Sequence, residues 1–122
     1  MDIINRNDVK AFITKDKSEI REILAPRNSI IKKQSLAEAR VSPGEVTEQH
    51  YHIQTEEIYY ILQGKGLMII DDEKREVKKY DGIAIPPGAR HKILNVGDDD
   101  LVMLCCCVPA YEHDDTVITE NA

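Results

Sequence analysis

The stretch from residue 44 to residue 64, GEVTEQHYHIQTEEIYYILQG, constrains this chain more than any other. His50 and His52 are two residues apart, so both imidazoles lie on one face if they belong to a β-strand, because strand side chains alternate faces. Glu57 follows after five residues, an odd step that one strand cannot use to reach that face. The chain must therefore turn after the second histidine and return. Two imidazoles and a carboxylate that converge in this way indicate a metal site.

A second stretch, GIAIPPGARHKILN at residues 82–95, supplies a third histidine. Its Pro86, Pro87 and Gly88 predict a turn, because proline cannot donate a hydrogen bond to a central strand ladder. His91 then begins a new strand, HKILN. This histidine is a candidate to join the first two.

Together the two stretches resemble the motifs of the cupin superfamily, and the chain is similar to small single-domain metal-binding cupins. The motifs are G-x5-H-x-H-x(3,4)-E-x6-G and G-x5-P-x-G-x2-H-x3-N. The residues that match them are Gly44, His50, His52, Glu57, Gly64, Pro86, Gly88, His91 and Asn95. The second motif's leading glycine would fall at Tyr80, a turn position that carries no ligand. The similarity extends over residues 35–108.

The resemblance implies both a fold and a ligand set. Nine or ten short strands with turns at close intervals already predict an all-β sandwich or barrel. The resemblance narrows this to the cupin (RmlC-like) jelly-roll β-barrel, or double-stranded β-helix. The implied ligands of one divalent transition metal (Mn, Fe, Ni, Cu or Zn) are His50, His52, Glu57 and His91. The six residues that the motif requires before Gly64 select Glu57 over the neighbouring Glu56.

The amino-terminal residues predict one short helix outside the barrel. Asp16 with Glu19 three residues later resembles a capping box, and apolar residues follow at helical spacing until Pro26. Ser29–Lys33 is predicted as the first barrel strand. The expected partition of this single domain is an arm with the helix at residues 1–28, a barrel at 29–113 and a polar tail at 114–122.

The arm also predicts a two-fold homodimer. Its apolar residues have no obvious place in a barrel that is complete without them, so we expect them to lie against the partner subunit. These residues are Ile3, Ile4, Val9, Phe12 and Ile13.

Charge and cysteine content limit the partners and the location. A formal net charge of −6 argues against a nucleic-acid partner. The longest apolar run, residues 101–108, is too short to span a bilayer, and the first ten residues have no apolar core of a secretory signal. Cys105, Cys106 and Cys107 are consecutive, with the outer pair about 6.5 Å apart at Cα in a strand, at the far edge of disulfide range. We expect free thiols, no membrane partner and a cytoplasmic location.

Three further residues and the cysteine run have both a structural and a functional interpretation. Tyr59 is more readily a core tyrosine than a hydroxyl that contacts substrate, and Asn95 is a structural hydrogen-bonder rather than a ligand. His113 lies outside the motifs and is assigned a structural or solvent role. The cysteine run is better explained as small buried hydrophobes than as a thiolate metal site, because neighbours point to opposite faces.

The favoured function is a metal-dependent enzyme, of the dioxygenase or isomerase type, that acts on a small polar metabolite. The alternative is a binding module for a small ligand without catalysis. A second alternative is a metal-free epimerase-like cupin with a histidine base and a tyrosine acid, which has no need of a complete four-residue ligand set. The shared fold does not decide among these chemistries.

Overall fold

The computed structural model describes residues 1–119, and within them the chain forms eleven strands in two antiparallel sheets. In chain order the strands are β1 (Phe12–Ile13), β2 (Glu19–Leu24), β3 (Ser35–Val41), β4 (His50–His52), β5 (Glu56–Gln63), β6 (Lys65–Ile70), β7 (Glu73–Lys78), β8 (Gly82–Ile85), β9 (His91–Asn95), β10 (Leu101–Val108) and β11 (Thr116–Ile118). The six-stranded sheet has the order β1-β2-β3-β10-β5-β8, and the five-stranded sheet has the order β11-β4-β9-β6-β7. The predicted all-β class is confirmed.

Strand β5 shows how the sequence pattern sets the inner and outer faces. Glu57, Tyr59 and Ile61 are buried, whereas the residues between them are exposed. This alternation follows from the two-residue period of a strand whose one face is covered. It also directs the Glu57 carboxylate into the space between the two sheets.

The hydrophobic core fills the space between the sheets next to that carboxylate. Its largest fully buried apolar side chains come from both sheets and are Ile61, Ile93, Leu101 and Met103. Burial of each such side chain contributes about 1.5–3 kcal/mol of hydrophobic free energy. The core therefore holds the facing strands at a fixed separation, which positions the polar residues at its edge.

The turn positions of the motifs have a left-handed backbone at Gly44, Gly64, Tyr80 and Gly88. Gly64 has φ +91°, and a Cβ there would lie 2.9 Å from the carbonyl oxygen of Asp100, so only glycine fits. Tyr80, where the second motif would have glycine, has φ +78°. The chain thus retains a left-handed conformation at the position where a tyrosine replaces the glycine.

The predicted amino-terminal helix is wrong. Residues 19–24 form β2, which pairs with β3, and the helical structure in the described amino-terminal part is only the 3-10 turn Arg6–Asp8. The capping-box pattern misled because Asp16 lies in the turn between β1 and β2. There its side chain accepts a hydrogen bond from the backbone N–H of Ser18, two residues on, which stabilises a turn instead of a helix.

The segments on either side of the predicted barrel also take part in the sheets. Residues 116–118 pair with β4 as β11, whereas residues 120–122 of the predicted tail lie outside the described residues. Ser29–Lys33, predicted as a strand, is irregular. Among the described residues, no helix has the length and apolar character needed to cross a membrane.

Candidate metal centre

The three motif histidines come from two neighbouring strands of the five-stranded sheet. His50 and His52 lie on one face of β4, and His91, the first residue of β9, is paired directly with His50 across the ladder. All three are at most 4% exposed. The two-residue spacing and the antiparallel register therefore bring three imidazoles together in the barrel interior.

Glu57 reaches these histidines from the opposite sheet. The chain leaves β4, bends and enters β5, and the bend is held by the Asp115 carboxylate, which accepts hydrogen bonds from the N–H groups of Gln54 and Thr55. Glu57 Oε1 lies 3.1 Å from Nε2 of His52. It also lies 3.6 Å from Nε2 of His91. The predicted turn and return of the chain is confirmed.

Two of the imidazoles have their Nδ1 atoms fixed by backbone carbonyls. Nδ1 of His50 is 2.9 Å from the carbonyl oxygen of Glu48, and Nδ1 of His91 is 2.9 Å from that of Ala89. A carbonyl oxygen only accepts, so each Nδ1 must carry the proton and donate. In the neutral imidazole, Nε2 then presents a lone pair, as a metal ligand requires.

The third imidazole is oriented by a side chain. Nδ1 of His52 lies 3.1 Å from Oγ1 of Thr116 on β11. The Thr116 hydroxyl donates its own hydrogen to the carbonyl oxygen of Glu112, so it accepts from His52. All three histidines thus share one tautomer, with Nε2 directed toward the cluster.

The convergence of these atoms fits a metal ion. The ligand atoms of the four motif residues all lie within 4.8 Å of one another, and the cluster is able to hold an ion. Nε2 of His91 is buried and has no hydrogen-bond partner. An uncharged Nε2 and a carboxylate oxygen that face each other repel unless a cation lies between them, because both present lone pairs. A divalent ion satisfies these atoms together.

The surroundings favour the ligand form of two of these groups. Burial raises the pKa of the Glu57 carboxyl, but in the metal-free protein the attraction of the His52 and His91 imidazoles, when their Nε2 atoms carry a proton, outweighs it and lowers the pKa to about 2. The pKa of His50 is lowered by burial and by repulsion from His91. Glu57 is therefore an anion and His50 a neutral imidazole at neutral pH.

A thiol that the sequence did not assign to the site supports Glu57. Cys107 on β10 is paired with Glu57 across the ladder, and its Sγ donates a hydrogen bond of 3.3 Å to Glu57 Oε2. Burial and the adjacent carboxylate raise the pKa of Cys107, so it remains a neutral donor. The thiol leaves Oε1 as the oxygen that faces the histidines.

A pocket extends from the cluster between the two sheets. Its interior has about 50 Å³ of room for the centres of water-sized molecules, so it is narrow. Its wall is largely apolar, with Ile20, Ala37, Ala39 and Val41 on the six-stranded sheet. Among the described residues that line it there is no lysine and no arginine.

Three other residues considered for the site lie outside the ligand cluster. Glu56 is exposed and faces away from the cluster, as expected for the carboxylate that the motif spacing rejects. Asn95 is buried and structural, since its amide donates to the carbonyl oxygens of Val41 and Asp99. Tyr59 is buried in the core, edge-on to His91 at 5.9 Å between ring centroids.

Two further predictions concern the remaining histidine and the cysteines. His113 is exposed and lies outside the cluster, which agrees with the role assigned to it. Cys105 and Cys107 are buried on the inner face of β10, Cys106 is on the outer face, and all three are free. The packing interpretation of the run holds, but it missed the hydrogen bond to Glu57.

Three residues next to the ligands were missed by sequence reasoning: Cys107, Thr116 and Asp16, whose carboxylate lies 3.7 Å from Nε2 of His50. Asp16 and Thr116 lie far from the motifs in sequence, and only tertiary contacts bring them to the site. For Cys107, the shared inward face with Cys105 was a usable signal, but which residue it would meet depended on the pairing of β10 with β5.

Comparison with known proteins supports the resemblance found in the motifs. Residues 37–107 match the family model of the cupin domain. An uncharacterized protein of Methanocaldococcus jannaschii, MJ1618, is 55% identical over 92% of this chain and 90% of its own length. A putative glucose-6-phosphate isomerase 1 of Rhizobium meliloti is 38% identical, but the match covers 55% of this chain and only 37% of that protein.

A solved structure gives the same picture of the fold. The polyketide cyclase RemF of Streptomyces resistomycificus superposes with a TM-score of 0.83, over 100% of this chain and 87% of that one, at 23% identity. At that identity the likeness shows the fold alone. The activity must be argued from the site itself.

Proposed function

This chain belongs to the cupin family, and on that basis we propose that it is a metal-dependent enzyme, of the dioxygenase or isomerase type, acting on a small polar metabolite. The proposed ligands of a single divalent transition metal are His50, His52, Glu57 and His91. Imidazole and carboxylate donors suit Mn, Fe, Ni, Cu or Zn. An ion held by three histidines and one carboxylate keeps positions open for substrate, and it supplies Lewis-acid or redox chemistry there.

The observation that carries this proposal is the buried Nε2 of His91. It has no hydrogen-bond partner, and it lies 3.6 Å from a carboxylate oxygen that also faces His52. A buried polar atom without a partner costs about 1–3 kcal/mol. A structure that fixes the Nδ1 atoms of all three histidines and leaves this Nε2 unpaired is arranged to bind a cation.

The residues of the chain have separate tasks in the proposed enzyme. Thr116 and the backbone carbonyls orient the imidazoles, and Cys107 holds the second oxygen of Glu57. The apolar wall on the six-stranded sheet limits the water that reaches the pocket, which strengthens polar interactions inside it. These features suit chemistry on a polar group held beside an apolar wall.

We further propose that the chain works as a homodimer in the cytoplasm. The proposed partition is residues 1–28 as the arm that packs at the dimer interface, 29–113 as the barrel and 114–122 as the tail, with β2 of the arm and β11 of the tail paired into the two sheets. Three free thiols suit a reducing compartment. The expected partners are a small-molecule substrate and a second copy of the chain.

Metal analysis of protein purified without chelators tests the ligand assignment. His91→Ala should lose at least about tenfold in metal affinity, since even residues that only orient ligands cost 10–100-fold. His113→Ala is the matched control, because this exposed histidine lies outside the cluster, and it should keep native metal content. Equal metal content in the two variants, with native circular dichroism, would sink the assignment.

Activity assays on the metal-loaded protein then separate the reaction types. A panel of small polar and carbonyl metabolites would be incubated with and without O2, with oxygen uptake and isomer formation measured. Oxygen uptake supports the dioxygenase type, and interconversion without oxygen supports the isomerase type. Binding of panel members without turnover would favour the non-catalytic ligand-binding module instead.

A further inference from the structure

A hairpin turn places one additional carboxylate beside the metal cluster. The turn at residues 14–18 joins β1 to β2 and bridges to the other sheet. The Lys15 ammonium donates to the carbonyl oxygen of Thr116, and the backbone N–H of Glu48 donates to that of Asp16. These contacts hold Asp16, which is only 9% exposed, against the interior.

The two oxygens of Asp16 have different surroundings. Oδ1 accepts three hydrogen bonds, from the Thr14 hydroxyl at 2.6 Å, the Ser18 hydroxyl at 2.6 Å and the Ser18 N–H at 3.0 Å. Oδ2 accepts no hydrogen bond from the described residues, and it lies 3.7 Å from Nε2 of His50. One oxygen is locked in place, and the other faces the pocket beside an atom of the cluster.

Asp16 is not itself a member of the cluster. The four residues whose ligand atoms lie within 4.8 Å of one another do not include it. It lines the same pocket from the six-stranded sheet, together with Glu22. Glu22 is paired with Arg27, so its charge is balanced, whereas the pocket-facing oxygen of Asp16 has no cationic partner apart from the cluster.

We infer that Asp16 selects the substrate, accepting through Oδ2 a hydrogen bond from a hydroxyl or amino group next to the oxygen that the metal binds. The inference rests on the proposed function and names the ligand class of that site: uncharged hydroxy- or amino-carbonyl compounds. A rigid, buried acceptor discriminates strongly against ligands that lack the donor, because it is then left unpaired.

The same geometry rejects phosphorylated ligands. A phosphate in this pocket would lie near the Asp16 carboxylate, which repels it, and the described lining offers no lysine or arginine to hold it. The name of the Rhizobium meliloti relative, a putative glucose-6-phosphate isomerase, suggests a phosphorylated substrate for that protein. The similarity between the two chains therefore does not carry a sugar-phosphate substrate to this one.

Cobalt-loaded full-length protein and three related probes test the inference. Dihydroxyacetone has donors beside its carbonyl, 1,3-dimethoxyacetone lacks them, and dihydroxyacetone phosphate adds a charge. The visible spectrum of the bound cobalt reports binding of each probe. In the native protein we expect dihydroxyacetone to bind at least about tenfold more tightly than either of the other two probes.

The Asp16→Asn variant should remove this preference. The amide oxygen replaces Oδ1 among the three donors of Thr14 and Ser18, so the amide N–H2 faces the pocket and an acceptor becomes a donor. Dihydroxyacetone should lose its tenfold advantage, and the phosphate should bind more tightly than it does to the native protein. Glu22→Gln makes the same change of charge in the same pocket, and it should keep the native preference.

The other possible outcomes contradict either the role of Asp16 or the proposed function as a whole. Native preference in Asp16→Asn, or no response of the native cobalt spectrum to any probe, overturns the role of Asp16 while the metal site stands. If Asp16→Asn loses as much cobalt as Glu57→Gln does, Asp16 is a metal ligand, and its role in substrate selection is overturned. If native protein binds no cobalt, the proposed function fails, and this inference fails with it.

Discussion

Glu57 is the one anionic member of the proposed ligand set, so it sets the charge of the site more than any histidine does. We predict that Glu57→Gln keeps the fold but loses at least about tenfold in metal affinity, because an amide oxygen is a poorer donor to a divalent ion than a carboxylate. Metal titrations between acidic and neutral pH measure this, and the variant should weaken further as pH falls, since the imidazoles must be unprotonated. Glu56→Gln, one residue away and exposed, is the control. Equal affinity in Glu57→Gln and native protein would remove Glu57 from the ligand set.

In the metal-free protein, the Glu57 carboxylate should also make the free energy of unfolding fall at acid pH. The pKa of Glu57 is about 2 in the folded chain against an ordinary 4.5, so between these values the unfolded state binds more protons. Stability is then fully present above pH 4.5 and falls by about 3 kcal/mol as pH drops toward 2. Denaturant titrations of chelator-treated protein measure the fall. Glu57→Gln should flatten this part of the profile, whereas an unchanged slope would contradict the assigned pKa.

The residues that sequence reasoning could predict are those fixed by short spacings. His50 and His52 need only the two-residue period of a strand, and His91 follows a turn that its prolines announce. Asp16 and Thr116 reach the site through contacts that span 34 and 64 residues. No local pattern encodes such contacts, so the groups that surround the ligands emerged only from the folded chain.

At the scale of single elements, the strands with a clear period were predictable and the edge segments were not. Residues 91–95, predicted as a strand after the Pro-Pro-Gly turn, form β9, in which His91, Ile93 and Asn95 are buried and the two residues between them are half-buried. The segment that became β2 has apolar residues that also fit a helical period. Pairing with β3 and the Asp16 turn decided between the two, and neither is visible in the segment itself.

The two faces of β5 should respond differently to truncation. Ile61 is fully buried in the core, so Ile61→Ala should cost about 2–5 kcal/mol of unfolding free energy. Ile58 lies on the outer face of the same strand and is 53% exposed, so Ile58→Ala should stay within about 0.5 kcal/mol. Thermal or denaturant unfolding of the two variants measures the difference. Similar losses in both would mean that the outer face is also covered.

For the whole molecule, the amino-terminal residues leave apolar surface at one end of the six-stranded sheet. Strand β1 has two residues, pairs only with β2 and ends the sheet, so its other edge is unpaired within the described chain. Phe12 and Ile13 on this strand are 43% and 64% exposed, and Ile3 before it is 82% exposed. Covering a sheet edge and apolar side chains together is what a two-fold partner does.

We therefore predict a homodimer that the arm stabilises and that lies next to the pocket. Phe12 lines the pocket although it is partly exposed, so a partner covering it would also reduce solvent access to the site.

Light scattering at micromolar protein should give twice the 13.9 kDa chain mass. Ile13→Lys should shift the protein to monomer, because it buries a charge at the interface. Ile53→Lys, at a similarly exposed isoleucine in the bend between β4 and β5, should remain dimeric. A monomeric native protein would refute the interface, whereas dissociation of Ile53→Lys but not Ile13→Lys would move it away from the arm.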